Sequence, residues 1–462
     1  MLRNNLHFEI SERKVLLRFF DVMVVLCALF LVDFFLDFKY FDFARNKFYW
    51  VVILAIYLNV IGTIFEMYNL QVASNQFQII KSIVLTASTT VLVYLLTPFF
   101  TPLLPLSRLQ ILYFFLAILI SLLAWRIFYQ RFLASYRFEK RVLLVCDQNQ
   151  VEELVSDLSS VDPHYRVIGF INAAPDFVEA QLNGLIHIKH GEVQDFVIKN
   201  NVSEIVVASK NTESITLKLY NQLLFLLENG FAIKEYTQVY ENLTQRIPIA
   251  HFGQDFYKFF PFSRSNHNRL YLFTVRILEI IFSIIGLLIG GILLPFLVLG
   301  NFLANNGPLF YSQLRVGRNG ITFKIYKFRT MLSNAEEHGA VFAIQNDSRI
   351  TFFGKFLRKT RIDEIPQFYN ILKGDMALIG PRPERPFFVQ NLSNDIPFYD
   401  TRHVIKPGLT GWAQVNYCYG ESISDSLIKL QYDLYYIKHR SVFLDLNIVI
   451  KTFSTVLFYR GQ

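Results

Sequence analysis

The sequence is poor in cysteine and poor in charge. Its 462 residues include only three cysteines, Cys27, Cys146 and Cys418, which are scattered along the chain and odd in number. This pattern excludes a disulfide framework and shows no metal-ligand spacing, so we expect the polar parts to occupy a reducing compartment. Charged residues make up 18% of the chain and hydrophobic residues 53%, with a mean hydropathy of +0.32. This composition is typical of a membrane protein rather than a soluble one.

Acidic residues are fewer than basic ones, which leaves a formal net charge of +8. In so apolar a chain, this excess favours contact with anionic lipid headgroups or phosphorylated ligands over contact with nucleic acid. The polar N-terminal stretch "MLRNNLHFEISERK" and the apolar run behind it contain no small-residue cleavage site. We therefore do not expect a removed signal peptide.

Long apolar runs fill the first third of the chain, at residues 22–36, 49–65, 79–100 and 109–125. Each approaches or reaches the roughly 20 residues that a helix needs to cross a bilayer. Basic residues precede the first run and follow the fourth, at Arg13, Arg18, Arg131 and Arg141. By the positive-inside rule, residues 1–137 form a bundle of four transmembrane helices with both ends in the cytoplasm. The alternative is a helical bundle buried inside a large soluble core.

Beyond Arg141, short β-branched runs alternate with helical stretches. The strand candidates are "RVLLVC", "YRVIGFI", "SEIVVAS" and "FAIKEY", and "VEELVSDLSS" is typical of the helices between them. Alternating strands and helices predict a Rossmann-like, doubly wound parallel sheet over residues 138–250. The turn after the first strand, "VCDQNQVEEL", contains no glycine for close approach to a pyrophosphate. We therefore expect a degenerate fingerprint and no dinucleotide-binding enzyme.

A fifth apolar segment, residues 270–302, contains Gly286, Gly290 and Pro295 and has basic residues on both sides. Both flanks are therefore expected in the cytoplasm, and a proline inside a helix removes a backbone hydrogen bond and bends it. We predict a re-entrant membrane helix over 265–303, kinked near Pro295. An ordinary tilted span that contains a proline is the alternative.

The remaining residues, 304–462, are predicted to form a compact mixed domain. Strand-like alternation in "ITFKIYKF" directs Lys327 to one face, and Arg329 follows it on the same face. The two side chains could bind one phosphate, although basic residues on a strand are usually a solvated face.

The densest charge lies in "TRIDEIPQFYNILKGDMALIGPRPERP", residues 360–386. Apolar spacing in "EIPQFYNILK" predicts an amphipathic helix that begins near residues 363–365 and ends at Gly374. Asp363 and Glu364 would then lie at its N-terminus, where the helix dipole would keep an aspartate ionised. An ordinary capping role is the alternative.

Basic residues surround this acid pair in the sequence, and prolines stiffen the loop that carries two of them. The candidate phosphate ligands are Arg358, Arg382 and Arg385. A carboxylate pair beside rigid guanidinium groups is what phosphoryl transfer requires, because one acid attacks or binds a metal ion and the cations stabilise the phosphate oxygens.

Three stretches carry a family resemblance: "YKFRTM", "NDSRITFFGKFLRKTRIDEIPQFYNILKGDMALIGPRPE" and "KPGLTGWAQVN". They closely resemble the large form of the bacterial polyprenol-phosphate hexose-1-phosphate transferases. The likeness is strongest from about residue 313 to the C-terminus. One departure is Leu294 before Pro295, where the family often has serine.

The resemblance implies transfer of a sugar-1-phosphate from a UDP-sugar to undecaprenyl phosphate with release of UMP. It places the protein in the bacterial inner membrane with its soluble domains in the cytoplasm, at the initiating step of exopolysaccharide, capsule or O-antigen synthesis. Asp363 matches the family's nucleophile, Glu364 the acid that binds Mg²⁺, and Gln414 lies in the third motif as an expected substrate ligand. The sugar stays open, and the Rossmann-like domain could serve a homodimer.

The sequence patterns leave two other functions open. A non-catalytic membrane sensor would bind nucleotide and lipid without turnover. A membrane-bound nucleotide-sugar dehydratase could combine four spans with a Rossmann domain, but it needs the glycine-rich turn that is missing here. A transporter would need polar residues in paired broken helices, whereas the sequence has a single broken segment.

Overall fold

The computed structural model describes most of the chain: residues 10–36, 40–41, 48–68, 76–105, 107–129, 140–161, 165–172, 184–208, 216–249, 268–305, 307–332, 349–417 and 422–457, with short stretches at 38, 131, 181–182, 263–266, 335 and 347. Cys418 and residues 1–9 and 458–462, which the predicted domains include, lie outside the described residues. The chain divides into two compact units, Met1–Val239 and Tyr240–Gln462.

The first unit begins with four apolar helices, which confirms the four predicted runs as helices. They are α1 (Ile10–Leu36), α2 (Phe48–Ile64), α3 (Gln76–Leu96) and α4 (Arg108–Phe128). By length and composition, three of them can cross a membrane, whereas α2 is a shorter apolar helix of 17 residues. Their buried faces share one core, which includes Leu29, Leu58, Tyr94 and Phe114.

The outward faces of these helices are rich in exposed apolar side chains, such as Phe34 and Phe35 at 76% and 73% exposure. Such faces fit a lipid environment. Inside the bundle, Arg126 of α4 donates to Asp21 of α1 at 2.7 Å, and both side chains are almost fully buried. This ion pair joins α1 to α4 inside the bundle.

The rest of the first unit is the predicted parallel sheet. Its strands are β1 (Lys140–Cys146), β2 (Tyr165–Asn172), β3 (Gln181–Leu182), β4 (Leu185–His187), β5 (Glu204–Val207) and β6 (Ala232–Glu235). They lie in the order β3-β4-β2-β1-β5-β6, and all neighbouring pairs are parallel except β3 with β4. Three helices connect strands of this sheet: α5 (Val151–Val161), α6 (Val193–Lys199) and α7 (Leu217–Glu228).

The second unit is built around one long helix, α9 (Arg269–Ala304), and α8 (Tyr236–Thr244) spans the boundary between the units. Its strands are β7 (Phe310–Val316), β8 (Thr322–Phe328), β9 (Ala377–Ile379) and β10 (Gly408–Thr410). Its other α-helices are α10 (Phe352–Lys359), α11 (Gln367–Lys373), α12 (Pro386–Asp395), α13 (Trp412–Asn416), α14 (Ile423–His439) and α15 (Val442–Leu457). β7 and β8 form an antiparallel hairpin, and β9 and β10 form a parallel pair.

Helix α9 is continuous through Pro295 and is the fourth helix long and apolar enough to cross a membrane. Its glycines allow close packing on the smaller helices. A Cβ atom at Gly286 would lie 2.4 Å from the Phe368 ring, and one at Gly300 would lie 2.3 Å from the Phe353 ring. Within the described part of the chain, four helices long and apolar enough to cross a membrane, together with mixed α/β content, fit the membrane protein that the composition predicts.

Candidate active site

The acid pair lies between two helices of the second unit. Helix α10 ends at Lys359, Arg361 adopts a left-handed conformation with φ of 58°, and Ile362–Glu364 form a single 3-10 turn that carries both acids. A non-glycine residue in this region is strained, and such positions often occur at functional sites. The helix predicted to begin near residues 363–365 begins at Gln367, after Pro366. It ends at Gly374 as predicted, where the glycine has a φ of 98°.

Asn370 fixes helix α11 against strand β8. Its buried side chain donates to the carbonyl of Lys324 at 2.7 Å and accepts from the backbone N–H of Tyr326 at 3.1 Å. This places Lys327 opposite the acid pair, where its Nζ atom lies 3.4 Å from Oε1 of Glu364. Arg361 approaches the other oxygen of Glu364 at 3.3 Å.

Asp363 is more buried than its neighbour. It is 6% exposed, and its Oδ1 atom has no hydrogen-bond partner among the described residues. Burial, reinforced by the negative charge of Glu364, raises the pKa of Asp363 to about 6. A helix dipole would lower the pKa of Asp363, but the desolvation of its carboxylate has the larger effect.

The pKa of Glu364 shifts in the opposite direction. Burial acts to raise the pKa of Glu364, but the positive charges of Lys327, Arg361 and Arg382 outweigh it and lower that pKa to about 2. Burial also lowers the pKa of the Lys327 ammonium, although the two carboxylates oppose this shift. Two adjacent acids with separated pKa values are typical of a catalytic pair.

A small cavity opens beside Glu364. Its lining residues are Arg315, Ile325, Lys327, Glu364, Gln367, Arg382, Pro383, Gly408, Leu409 and Gln414. Asp363 does not line this cavity but is buried beside it. Three cations and one ionised acid around a cavity form a surface suited to a polyanion with a divalent cation.

The loop that carries Arg382 is held through four consecutive carbonyls, which accept hydrogen bonds from three parts of the unit: Gly408, Arg402 and strand β7. The N–H of Gly408 donates to Pro381 O at 2.8 Å, and Nη2 of Arg402 donates to Arg382 O at 3.2 Å. Arg315 donates to Pro383 O at 3.1 Å, and the N–H of Val316 donates to Glu384 O at 2.9 Å. The rigidity that the prolines predict is therefore supplied by hydrogen bonds as well.

Arg402 is itself anchored in the interior. It donates to Asp433 at 2.7 Å and to the Tyr399 hydroxyl at 2.6 Å, and the two charged side chains are 5% and 2% exposed. Because both ends of this ion pair are buried and bonded, Arg402 is a rigid support for the backbone of Arg382.

Of two further predicted site residues, Gln414 lines the cavity and Arg358 does not. Arg358 donates to the Thr330 hydroxyl at 2.9 Å, and its charge acts on Asp363. Gln414 lines the cavity, with Nε2 bonded to Leu409 O at 3.3 Å and Oε1 without a partner among the described residues.

Arg329 and Arg385 do not line this cavity. The chain leaves β8 at Phe328, and Arg329 turns towards the end of α9, where it donates to Asn305 O at 2.9 Å. The structure therefore does not bring Arg329 to the cavity that Lys327 lines. The guanidinium of Arg385 lies over the Phe388 ring, 5.9 Å from its centroid.

Two polar side chains that line the cavity, Arg315 and Gln367, were not predicted as site residues from the sequence. Arg315 looks like any basic residue on a hairpin strand. Gln367 lies three residues after Glu364, the spacing at which helical neighbours share a face, and that spacing could have identified it.

The chain is similar to known sequences in two regions. The family model described as bacterial sugar transferase matches residues 270–459, and the model described as CoA-binding domain matches residues 63–218. An Aeromonas hydrophila UDP-N-acetylgalactosamine-undecaprenyl-phosphate N-acetylgalactosaminephosphotransferase is 44% identical over 221 residues, which cover 48% of this chain and 51% of that protein. The chain thus spans about half the length of this relative.

Two further relatives differ in the sugar they are named for. A UDP-glucose:undecaprenyl-phosphate glucose-1-phosphate transferase of Xanthomonas campestris pv. campestris is 41% identical over 165 residues, covering 35% of this chain and 34% of that protein. A Bacillus subtilis protein, provisionally named an undecaprenyl-phosphate N-acetylgalactosaminyl 1-phosphate transferase, is 46% identical over 144 residues, covering 30% of this chain and 79% of its own length. The residues that match the sugar transferase model include Asp363 and Glu364. The resemblance carried by the motifs is confirmed: the chain belongs to the bacterial sugar transferase family.

Proposed function

We propose that the protein transfers a sugar-1-phosphate from a UDP-sugar to undecaprenyl phosphate and releases UMP, as the initiating step of a surface polysaccharide. The observation that carries the proposal is the pair of adjacent acids, Asp363 and Glu364, enclosed by the cations of Lys327, Arg358, Arg361 and Arg382. The relatives' names, which combine a UDP-sugar with undecaprenyl phosphate, support the same pair of substrates.

The chemistry follows from the acid pair. An oxygen of the Asp363 carboxylate attacks the phosphorus that bears the sugar, the bond to the bridging oxygen breaks, and UMP leaves with that oxygen. An oxygen of the lipid phosphate then attacks the same phosphorus, which forms the lipid diphosphosugar and returns Asp363 as a carboxylate. Lys327 and Arg382 bind the phosphate oxygens, where their fixed charges stabilise the negative charge of each transition state.

A magnesium ion fits this donor set. The described residues contain no group of three or more His, Cys, Asp or Glu side chains that could hold a metal ion by themselves. Mg²⁺ commonly takes one or two carboxylates and completes its coordination with substrate phosphates and water. Glu364 would hold it, assisted by the unpartnered Oδ1 atom of Asp363. Bound there, the ion would neutralise the diphosphate and stabilise the leaving UMP.

Packing of α9 supports a re-entrant helix in the cytoplasmic leaflet. Near its start, Arg276 donates to the carbonyls of Ile371 and Leu372, both at 2.7 Å, and near its end Gly300 packs on Phe353. Arg276 and Gly300 would be about 36 Å apart in a straight helix. A straight span would therefore draw the charged stretch between α10 and α11 into hydrocarbon, which is costly.

Cysteine labelling tests this topology. In a cysteine-free background, Asn268→Cys and Asn319→Cys, on either side of α9, should react from the cytoplasmic side only. Leu103→Cys, which is exposed between α3 and α4, is the control expected to react from the opposite side. Labelling of Asn268→Cys and Asn319→Cys from opposite sides would refute the re-entrant helix. With this topology, the soluble parts would lie in the cytoplasm of a bacterium, beneath its inner membrane. A homodimer is a further proposal, which the molar mass of the purified protein in detergent tests.

The activity is tested with purified protein, undecaprenyl phosphate, Mg²⁺ and a panel of UDP-sugars. We expect UMP release with at least one donor, and the panel identifies the sugar. Asp363→Asn should abolish release, because an amide is not a nucleophile. A non-catalytic sensor would instead bind donor and lipid equally well with either residue and release no UMP in either form.

A further inference from the structure

Gln367 stands out among the buried amides of the second unit. It is the first residue of α11, it is 3% exposed, and it lines the cavity next to Glu364. Its Nε2 atom has no hydrogen-bond partner within the part of the chain that the structure describes. Buried polar groups nearly always have a partner, so an exception at a cavity calls for an explanation.

The fold itself does not use this amide nitrogen. One turn later on the same helix, Asn370 has both ends of its side chain bonded to β8, and it fixes the position of α11. Gln414, across the cavity, has its Nε2 bonded to Leu409 O. An unpaired buried donor destabilises a folded protein, and an apolar side chain of the same length would fill the space without that cost.

The surroundings indicate what the free donor is for. Three cationic side chains line the same cavity, Arg315, Lys327 and Arg382, so its occupant is an anion. Gln367 lies three residues beyond Glu364 and lines the same cavity as that acid. A neutral N–H donor at that place can bind a phosphate oxygen without drawing Glu364 away from its own cations.

We propose that Gln367 is a substrate-binding residue whose amide N–H donates to a non-bridging oxygen of the phosphate that is transferred. This inference rests on the proposed function. Since the same phosphate reacts in both displacements, the hydrogen bond serves both of them, and it strengthens as negative charge develops on that oxygen.

The test is Gln367→Met, which keeps the side chain's length and removes its donor. We expect the rate of UMP release without lipid to fall about 10²-fold, the usual effect of losing one such donor. The thermal midpoint should stay the same or rise, because the folded protein without substrate loses an unpaired buried group. A fall in activity together with unchanged or greater stability separates a ligand donor from a structural residue.

Gln431→Met is the matched control. Gln431 is also buried, at 8% exposure, but its Oε1 accepts from the Tyr240 hydroxyl at 3.5 Å. Its replacement should lower the thermal midpoint and leave turnover of the folded protein unchanged. The inference is overturned if Gln367→Met loses stability as the control does, if it releases UMP at the wild-type rate, or if only the lipid-dependent step slows. A wild type that releases no UMP from any donor, whether or not undecaprenyl phosphate is present, would instead refute the proposed function itself.

Discussion

The Nζ atom of Lys327 lies 3.4 Å from Oε1 of Glu364, and the two residues are 37 positions apart in the chain. Their contact joins strand β8 to the turn that carries the acid pair. It also distinguishes the two acids, because Glu364 has a direct cationic partner while one oxygen of Asp363 has none among the described residues. Burial therefore determines the direction of the pKa shift of Asp363, and the neighbouring cations determine that of Glu364.

Because the two pKa values shift in opposite directions, replacing Asp363 and replacing Glu364 should have opposite effects on thermal stability in metal-free buffer. The pKa of Asp363 is raised on folding, so its ionised form destabilises the native state above pH about 6. Asp363→Asn should raise the thermal midpoint at pH 8, and the difference should shrink as the pH falls through 6 towards 4.

Glu364→Gln is the contrasting variant. The pKa of Glu364 is lowered on folding, so its carboxylate contributes stability above its unfolded pKa that is lost as the pH falls towards 2. This variant should have a lower thermal midpoint than the wild type at pH 8. If both variants shift the midpoint in the same direction at pH 8, the electrostatic account of the pair is wrong.

Arg402 should act through Arg382 without touching the substrate. Arg402→Lys keeps the charge but cannot bond Asp433, Tyr399 and the Arg382 carbonyl together, so the loop should shift. Small displacements of substrate-binding groups can cost on the order of 10²-fold in rate. We expect kcat/KM for the donor to fall by up to that factor.

A double-mutant cycle tests this coupling. In an Arg382→Ala background, Arg402→Lys should have little further effect on kcat/KM, because the group that it positions is already gone. Equal losses from Arg402→Lys in both backgrounds would show that its role is general stability.

The packing of α9 on α11 gives a prediction with a neighbouring control. A Cβ at Gly286 would lie 2.4 Å from the Phe368 ring, whereas a Cβ at Gly291 meets no atom within 4 Å. Gly286→Ala should destabilise the unit by about 1–3 kcal/mol through overpacking and should lower turnover. Gly291→Ala should do neither. Thermal unfolding in detergent and UMP release measure both, and equal effects of the two variants would contradict the close packing.

How much the sequence could predict depended on the kind of signal. Long apolar runs and β-branched strands depend on local composition, so α1 to α4 and the main strands of the sheet appear where the patterns place them. Strands β3 and β4 have two and three residues, too few to show a period. Residues 363 and 364 were identified by their motif, but their pKa shifts depend on burial, which the order of residues does not reveal.

The arginines show the same limit. Alternation placed Lys327 and Arg329 on one strand face, but the strand ends at Phe328 and Arg329 turns away. The support of Arg382 by Arg402 joins residues that are 20 positions apart, through a backbone carbonyl. No side-chain pattern encodes such a contact, so it could be found only in the folded structure.

The most direct test of the account is the first half-reaction without lipid. Wild-type protein mixed with its UDP-sugar and Mg²⁺ should release UMP and hold the sugar-phosphate on the peptide that contains Asp363, detected by rapid quenching and mass spectrometry. Asp363→Asn should give neither product, while Glu364→Gln should form the adduct slowly with weaker dependence on Mg²⁺. If the wild type is fully active with undecaprenyl phosphate but releases no UMP and forms no adduct without it, the lipid phosphate attacks directly and Asp363 is not the nucleophile.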